Sequence, residues 1–224
     1  MSSESPRPLM TAGWKPLSMV DVKGAVTFTL WLCGCNLKCP FCHNWRLAES
    51  DRSVCGPLQE EALLGEIKSS LSLIDYVHIT GGEPLVQAPA LVVLLGKIKK
   101  SQVKISLNSN LTLPSSLKLV LPYLDHVATD VKLPEFYGVD ETFRTVLFRG
   151  FLQSLDILKE AGIALELRVP YARGFPESRY QEVLTVALEH SPKHSTVIWN
   201  KLLGPPLTDP RDKAWCEEHC FTAG

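Results

Sequence analysis

Strand-like apolar runs alternate with amphipathic helical stripes along almost the whole chain, and this alternation limits its fold more than any other feature. Ala25–Leu32 is a β-rich apolar run. After Pro57, residues Leu63, Leu64, Ile67 and Leu71 share one helical stripe, and Tyr76–Thr80 reads as a short strand. Pro89 suits the first turn of a helix whose stripe is Leu91, Leu94, Leu95 and Ile98. Val103–Leu107 is a strand, a short helix starts at Ser115, and His126–Val131 is the next strand. Glu141–Ala161 is expected to be a long helix with Gly162 as its C-cap. Ile163–Val169 alternates most clearly, Glu177–Glu189 is helical, and Thr196–Asn200 is a last strand. About six strand–helix units imply a parallel sheet covered by helices. The pattern alone leaves open whether that sheet closes.

A length of 224 residues fits one domain, and 45% apolar residues can supply its core. The formal net charge of -1 gives no basic field for nucleic acid or an anionic membrane, so neither is expected as a partner. No apolar run approaches the ~20 residues of a membrane span. The opening MSSESPRPLM lacks a basic-then-apolar signal, so a cytoplasmic location is expected. Residues 1–13 read as a flexible lead-in, 14–204 as the main domain and 205–224 as a C-terminal tail.

Seven cysteines are present, four of them between Cys33 and Cys42. In a reducing compartment such clustering reads as metal binding rather than a disulfide framework. Cys35, Cys39 and Cys42 form C-x3-C-x2-C directly after the first apolar run. Three thiolates this close can hold three irons of a [4Fe–4S] cluster, and no fourth cysteine follows in the ferredoxin rhythm. The last iron would then be open for chemistry. Zinc is the alternative, but His43 is poorly spaced to close a tetrahedron with Cys42. Inert thiols are the third reading. Phe41 can shield a cluster or stack on a ligand ring, and equally can be a core residue. Cys33 and Cys55 read as packing residues. Cys216 and Cys220, one helical turn apart, are either buried thiols, a redox pair or half of an auxiliary site. Lys97, Lys99 and Lys100 read as a solvated helix end.

Thr80-Gly81-Gly82-Glu83-Pro84 closes the Tyr76–Thr80 strand. Two glycines permit close approach to a ligand, and Glu83 can accept from an ammonium group. Strand alternation puts further polar side chains on common faces: Ser106, Asn108 and Asn110; Asp130 and Lys132; Glu166 and Arg168. In a parallel α/β barrel such residues meet at the C-terminal rim of the strands, where active sites lie. Solvent-facing strands are the alternative, although parallel strands normally have both faces covered.

C-x3-C-x-aromatic-C followed by G-G-E-P resembles the radical S-adenosylmethionine (radical SAM) superfamily. Cys39-Pro40-Phe41-Cys42-His43-Asn44 is similar to the signature of its glycyl-radical-enzyme activases, such as the pyruvate formate-lyase and anaerobic ribonucleoside-triphosphate reductase activating enzymes. Ser18-Met19-Val20-Asp21, Asp130-Val131-Lys132 and Arg168-Val169-Pro170 extend the similarity, which covers about residues 13 to 175. The resemblance implies a partial (β/α)6 barrel, a [4Fe–4S] cluster on Cys35, Cys39 and Cys42, and S-adenosylmethionine bound to the fourth iron. It implies that Gly81, Gly82 and Glu83 meet the methionine amine, that Asn110, Asp130, Lys132 and Arg168 surround the rest, and that Phe41 and His43 lie near the adenine. The implied chemistry is reductive cleavage of S-adenosylmethionine to a 5′-deoxyadenosyl radical. The implied partners are a glycyl radical enzyme and an electron donor such as flavodoxin or ferredoxin. A small-molecule radical SAM enzyme of the 7-carboxy-7-deazaguanine synthase type, or a non-catalytic iron–sulfur or zinc protein, is the alternative. The chain departs from the activase pattern at Asp21-Val22-Lys23-Gly24 and at Asn108. An Asp at the latter position is associated with a monovalent cation.

Overall fold

The computed structural model describes residues 8–222. The chain runs β1 (Met10–Ser18), β2 (Thr27–Leu32), α1 (Trp45–Ala48), β3 (Gly56–Pro57), α2 (Glu60–Ser70), β4 (Tyr76–Gly81) and α3 (Ala88–Lys99). It continues β5 (Lys104–Asn108), α4 (Pro114–Val120), β6 (His126–Asp130), α5 (Glu141–Ala161), β7 (Ala164–Tyr171), α6 (Glu177–His190), β8 (Thr196–Lys201) and α7 (Lys213–His219). One eight-stranded sheet has the order β3-β1-β2-β4-β5-β6-β7-β8. β2 and β4 to β8 are parallel neighbours, whereas β1 pairs antiparallel with β2 and β3 antiparallel with β1. The parallel strands form the expected partial barrel, and the sheet stays open between β3 and β8.

Local sequence explains the elements. Pro89 sits in the first turn of α3, whose stripe Leu91, Leu94, Leu95 and Ile98 is fully buried. Each such Leu stabilises the fold by roughly 1.5–3 kcal/mol on leaving water. Asp140 caps α5 by accepting the Phe143 N–H at 3.0 Å, and Gly162 ends it at φ 67°, a left-handed turn that glycine adopts without steric cost. The outward strand face, with Val77, Ile79, Ile105, Leu107, Val127, Leu165 and Leu167, packs on these helices. The inward face is polar yet buried: Thr27, Thr29, His78, Ser106, His126 and Glu166 fill the lumen.

Three expectations differ from the structure. Strand β1 begins at Met10, inside the stretch read as lead-in; residues 1–7 lie outside the described residues. Cys33 and Cys55, read as packing thiols, form a disulfide with Cα atoms 6.3 Å apart. The cause is β1: the Cys33 N–H bonds Met10 O, and Gly56, next to Cys55, pairs with Thr11, so one strand gathers both cysteines. Lys97 and Lys99 are paired with Glu60 and Asp125 at the surface rather than merely solvated. Such exposed pairs stabilise by about 0–1 kcal/mol.

Candidate functional site

The loop after β2 carries the three thiols. Cys39 is buried, Cys35 and Cys42 are half-buried, and all three are free. Gly34, at φ +87°, starts the loop, and its N–H is held by Leu47 O at 2.8 Å. The Lys38 N–H bonds Tyr137 O at 2.9 Å, and the Leu37 N–H points at Cys35 Sγ at 3.4 Å. Burial pushes the Cys35 thiol up to about 11 and the Cys39 thiol up to about 12, and raises Cys42 as well. The Lys132 ammonium pulls all three back down. Bare, these groups are neutral thiols; a soft metal turns them into thiolates. Among the described residues no three His, Cys, Asp or Glu side chains converge on one ion. A cubane takes its thiolates on separate irons, so this spaced donor set, with a cation behind it, fits such a cluster.

The turn after β4 is moulded to that loop. A Cβ on Gly81, whose φ is +127°, would meet Leu32 O at 2.0 Å, and one on Gly82 would meet Gly34 O at 2.2 Å. The glycines let the chain lie directly on the thiol loop, with Gly82 N–H on Leu32 O and Glu83 N–H on Gly34 O. The resemblance sets Glu83 against an amine. In the structure its carboxylate is fully buried and already accepts Leu85 N–H at 2.9 Å, Ser109 Oγ–H at 2.8 Å and Asn110 N–H at 2.6 Å. Burial raises its pKa, against the pull of these donors. Glu83 thus acts as a clamp between two strand ends, leaving the half-buried Gly81 and Gly82 backbone at the rim.

The other polar residues meet around the lumen mouth. Asn110 Nδ2 donates to Asn36 Oδ1 at 2.9 Å and lies 4.0 Å from Cys35 Sγ. Lys132 Nζ bonds Asp130 Oδ2 at 2.9 Å. Burial opposes both charges. Even so, Lys132, Arg168 and His43 hold the Asp130 carboxyl below its usual range, and Asp130, Cys39 and Tyr137 raise the Lys132 pKa. Arg168 pairs with Glu166 at 2.5 Å and donates to Asp21 O at 2.6 Å, closing the lumen beside Asp130. Asn108 Nδ2 donates to Thr80 Oγ1 at 3.1 Å. His43 is exposed at the loop. Phe41 packs edge-on against Phe136 at 5.6 Å and lies tilted against Trp215 at 5.8 Å.

Two features escaped the sequence reading. Ser106 Oγ bridges His78 Nδ1 at 2.9 Å and His126 Nδ1 at 2.8 Å across three strands, filling the lower lumen. The C-terminal tail returns to the thiol loop: Arg211 N–H bonds Cys42 O at 3.0 Å and Asp212 N–H bonds Pro40 O at 2.9 Å. Alternation flagged Ser106, but no local pattern announces the tail. Cys216 and Cys220 are buried against Gly204, and the Cys220 N–H bonds Cys216 O at 2.8 Å.

Soft thiols at the mouth of a parallel barrel, beside a rim of paired charges, fit one class: a barrel enzyme that works through an iron–sulfur cluster. The Radical SAM superfamily model matches residues 30–187, and the chain belongs to that superfamily, whose members use a [4Fe–4S] cluster and S-adenosylmethionine. A Methanocaldococcus jannaschii protein provisionally named as a glycyl-radical enzyme activating enzyme is 26% identical over 72% of this chain and 68% of its own length. The pyruvate formate-lyase-activating enzyme of Staphylococcus aureus is 28% identical over 55% of this chain and 51% of its own. The 7-carboxy-7-deazaguanine synthase of Methanopyrus kandleri is 31% identical over 45% of this chain and 47% of its own. The chain thus spans about half the length of the last two relatives.

Proposed function

We propose that this protein is a glycyl-radical-enzyme activase. The observation that carries this reading is the extent of similarity: 72% of the chain with the activating enzyme of M. jannaschii, against 45% with the deazaguanine synthase.

Cys35, Cys39 and Cys42 would hold the cluster. Gly81, Gly82, Asn110, Asp130, Lys132 and Arg168 would surround S-adenosylmethionine, with His43 and Phe41 on the adenine side. When bound, the cluster and S-adenosylmethionine supply hydrogen-atom abstraction, using one electron from a donor such as flavodoxin or ferredoxin. The Asp130–Lys132 pair offers one anion and one cation to a zwitterionic ligand. Glu83 holds the glycine turn and the Asn110 loop in fixed register. The His78–Ser106–His126 chain fills the lumen below, so access is from the rim. A cytoplasmic location agrees with the need for a reducing donor. Among the described residues no helix is long and apolar enough to cross a membrane.

The test is anaerobic assembly with iron and sulfide, reduction, and an assay for 5′-deoxyadenosine, with Cys39→Ala as control. Activase function then requires a glycyl radical signal on a partner enzyme by electron paramagnetic resonance. The 31% identity to the deazaguanine synthase supports a second reading, which mass-spectrometric detection of 7-carboxy-7-deazaguanine would favour. A cluster that never cleaves S-adenosylmethionine rejects both.

A further inference from the structure

The tail that the sequence left without a role is built into the thiol loop. The superfamily match ends at residue 187, well before it. Arg211 and Asp212 hydrogen-bond through their backbone to the carbonyls of Cys42 and Pro40, and Arg211 Nη1 reaches Leu37 O at 3.5 Å. The segment is itself anchored. Asp212 caps α7 by accepting the Trp215 N–H at 3.0 Å, and Trp215 packs on Phe41, Phe136 and Phe175. Arg173 N–H bonds His219 O at 2.7 Å, and Phe221 N–H bonds Leu202 O at 2.7 Å.

The Arg211 side chain is only 15% exposed. Its Nε lies 3.3 Å from Glu49 Oε1, a charge contact without hydrogen-bond alignment, and is a buried donor with no hydrogen-bond partner among the described atoms. A largely buried guanidinium keeps much of its field, because little solvent screens it. Leu37 lies two residues from both Cys35 and Cys39, so the contact of Arg211 Nη1 with Leu37 O puts the cation inside the thiol loop.

We propose that Arg211 is a positioning residue that tunes the cluster, its fixed cation in the thiol loop raising the cluster's reduction potential, with Glu49 partly offsetting it. The proposal rests on the reading that Cys35, Cys39 and Cys42 hold a cluster. One-electron reduction adds a negative charge to the cluster, and a nearby cation in a partly buried site stabilises that added charge.

The experiment is an anaerobic redox titration of the reconstituted protein without S-adenosylmethionine, following the reduced cluster by electron paramagnetic resonance. Arg211→Gln is expected to shift the midpoint to more negative potential. Glu49→Gln is expected to shift it, by less, to more positive potential, and Arg211→Lys to stay close to the unmodified protein. A purely structural clamp would move Arg211→Gln and Glu49→Gln in the same direction, or move neither. Either result overturns the proposal while the cluster reading stands. Failure of the unmodified protein to assemble any cluster overturns both, and is distinguished by its iron content matching that of Cys39→Ala.

Discussion

Glu83 joins Asn110 through a 2.6 Å hydrogen bond from the Asn110 backbone N–H, so the turn after β4 and the loop after β5 move as one body. Asn110 in turn reaches Asn36 in the thiol loop. Three segments of the rim therefore share one anchor. Glu83→Ala should leave three buried donors without partners, each costing about 1–3 kcal/mol. Glu83→Gln keeps an acceptor oxygen and should cost less. Denaturant unfolding of the metal-free protein measures both, and an Ala variant as stable as the parent would rule out the clamp.

The glycine turn makes a steric prediction. Gly81→Ala puts a Cβ 2.0 Å from Leu32 O at a φ that L-residues avoid, so backbone must move. Strain alone should cost roughly 1–3 kcal/mol. The shift is directed at the strand that leads into Cys35, so bound iron per chain should fall along with the unfolding midpoint. Gly65→Ala, where nothing lies within 4 Å, is the control.

His78 gives a pH dependence. Burial lowers its pKa from 6.5 to about 4, with Arg168 and His126 adding to that and Asp21 opposing. Between these values the unfolded chain binds the proton and the folded chain does not. Stability should therefore fall as pH drops from about 7 towards 4, then level off below it. The loss from this residue is on the order of 3 kcal/mol, at about 1.36 kcal/mol per pKa unit. His126, also lowered chiefly by burial, adds a loss of the same sign. Stability curves at several pH values test this, and His78→Gln should flatten them.

The Cys33–Cys55 bond can be counted. Denatured without reductant, the protein should show five reactive thiols, rising to seven after reduction. Closing a span of 22 residues should stabilise the fold by about 3 kcal/mol, so Cys55→Ser should lower the unfolding midpoint. Seven thiols without reductant would show that the pair is open.

Much of the barrel is local in origin. The long helix spans Glu141–Ala161 with Gly162 in a left-handed turn, as the C-cap glycine predicts. Residues Asn108, Asp130, Lys132, Glu166 and Arg168 reach one lumen because alternation fixes which face each side chain takes and parallel pairing aligns the strands. Antiparallel β1 was missed because its polar and aromatic residues alternate weakly and its pairing depends on β2.

The superfamily motifs, the strand–helix rhythm and the polar faces are written in the chain, since each depends on residues within a few positions of one another. The Cys33–Cys55 pairing, the enclosure of Glu83, the Ser106 bridge between two histidines and the return of Arg211 to Cys42 arise only on folding. Those contacts join distant segments. Their geometry depends on how strands pair and where the chain crosses back, which no local spacing encodes.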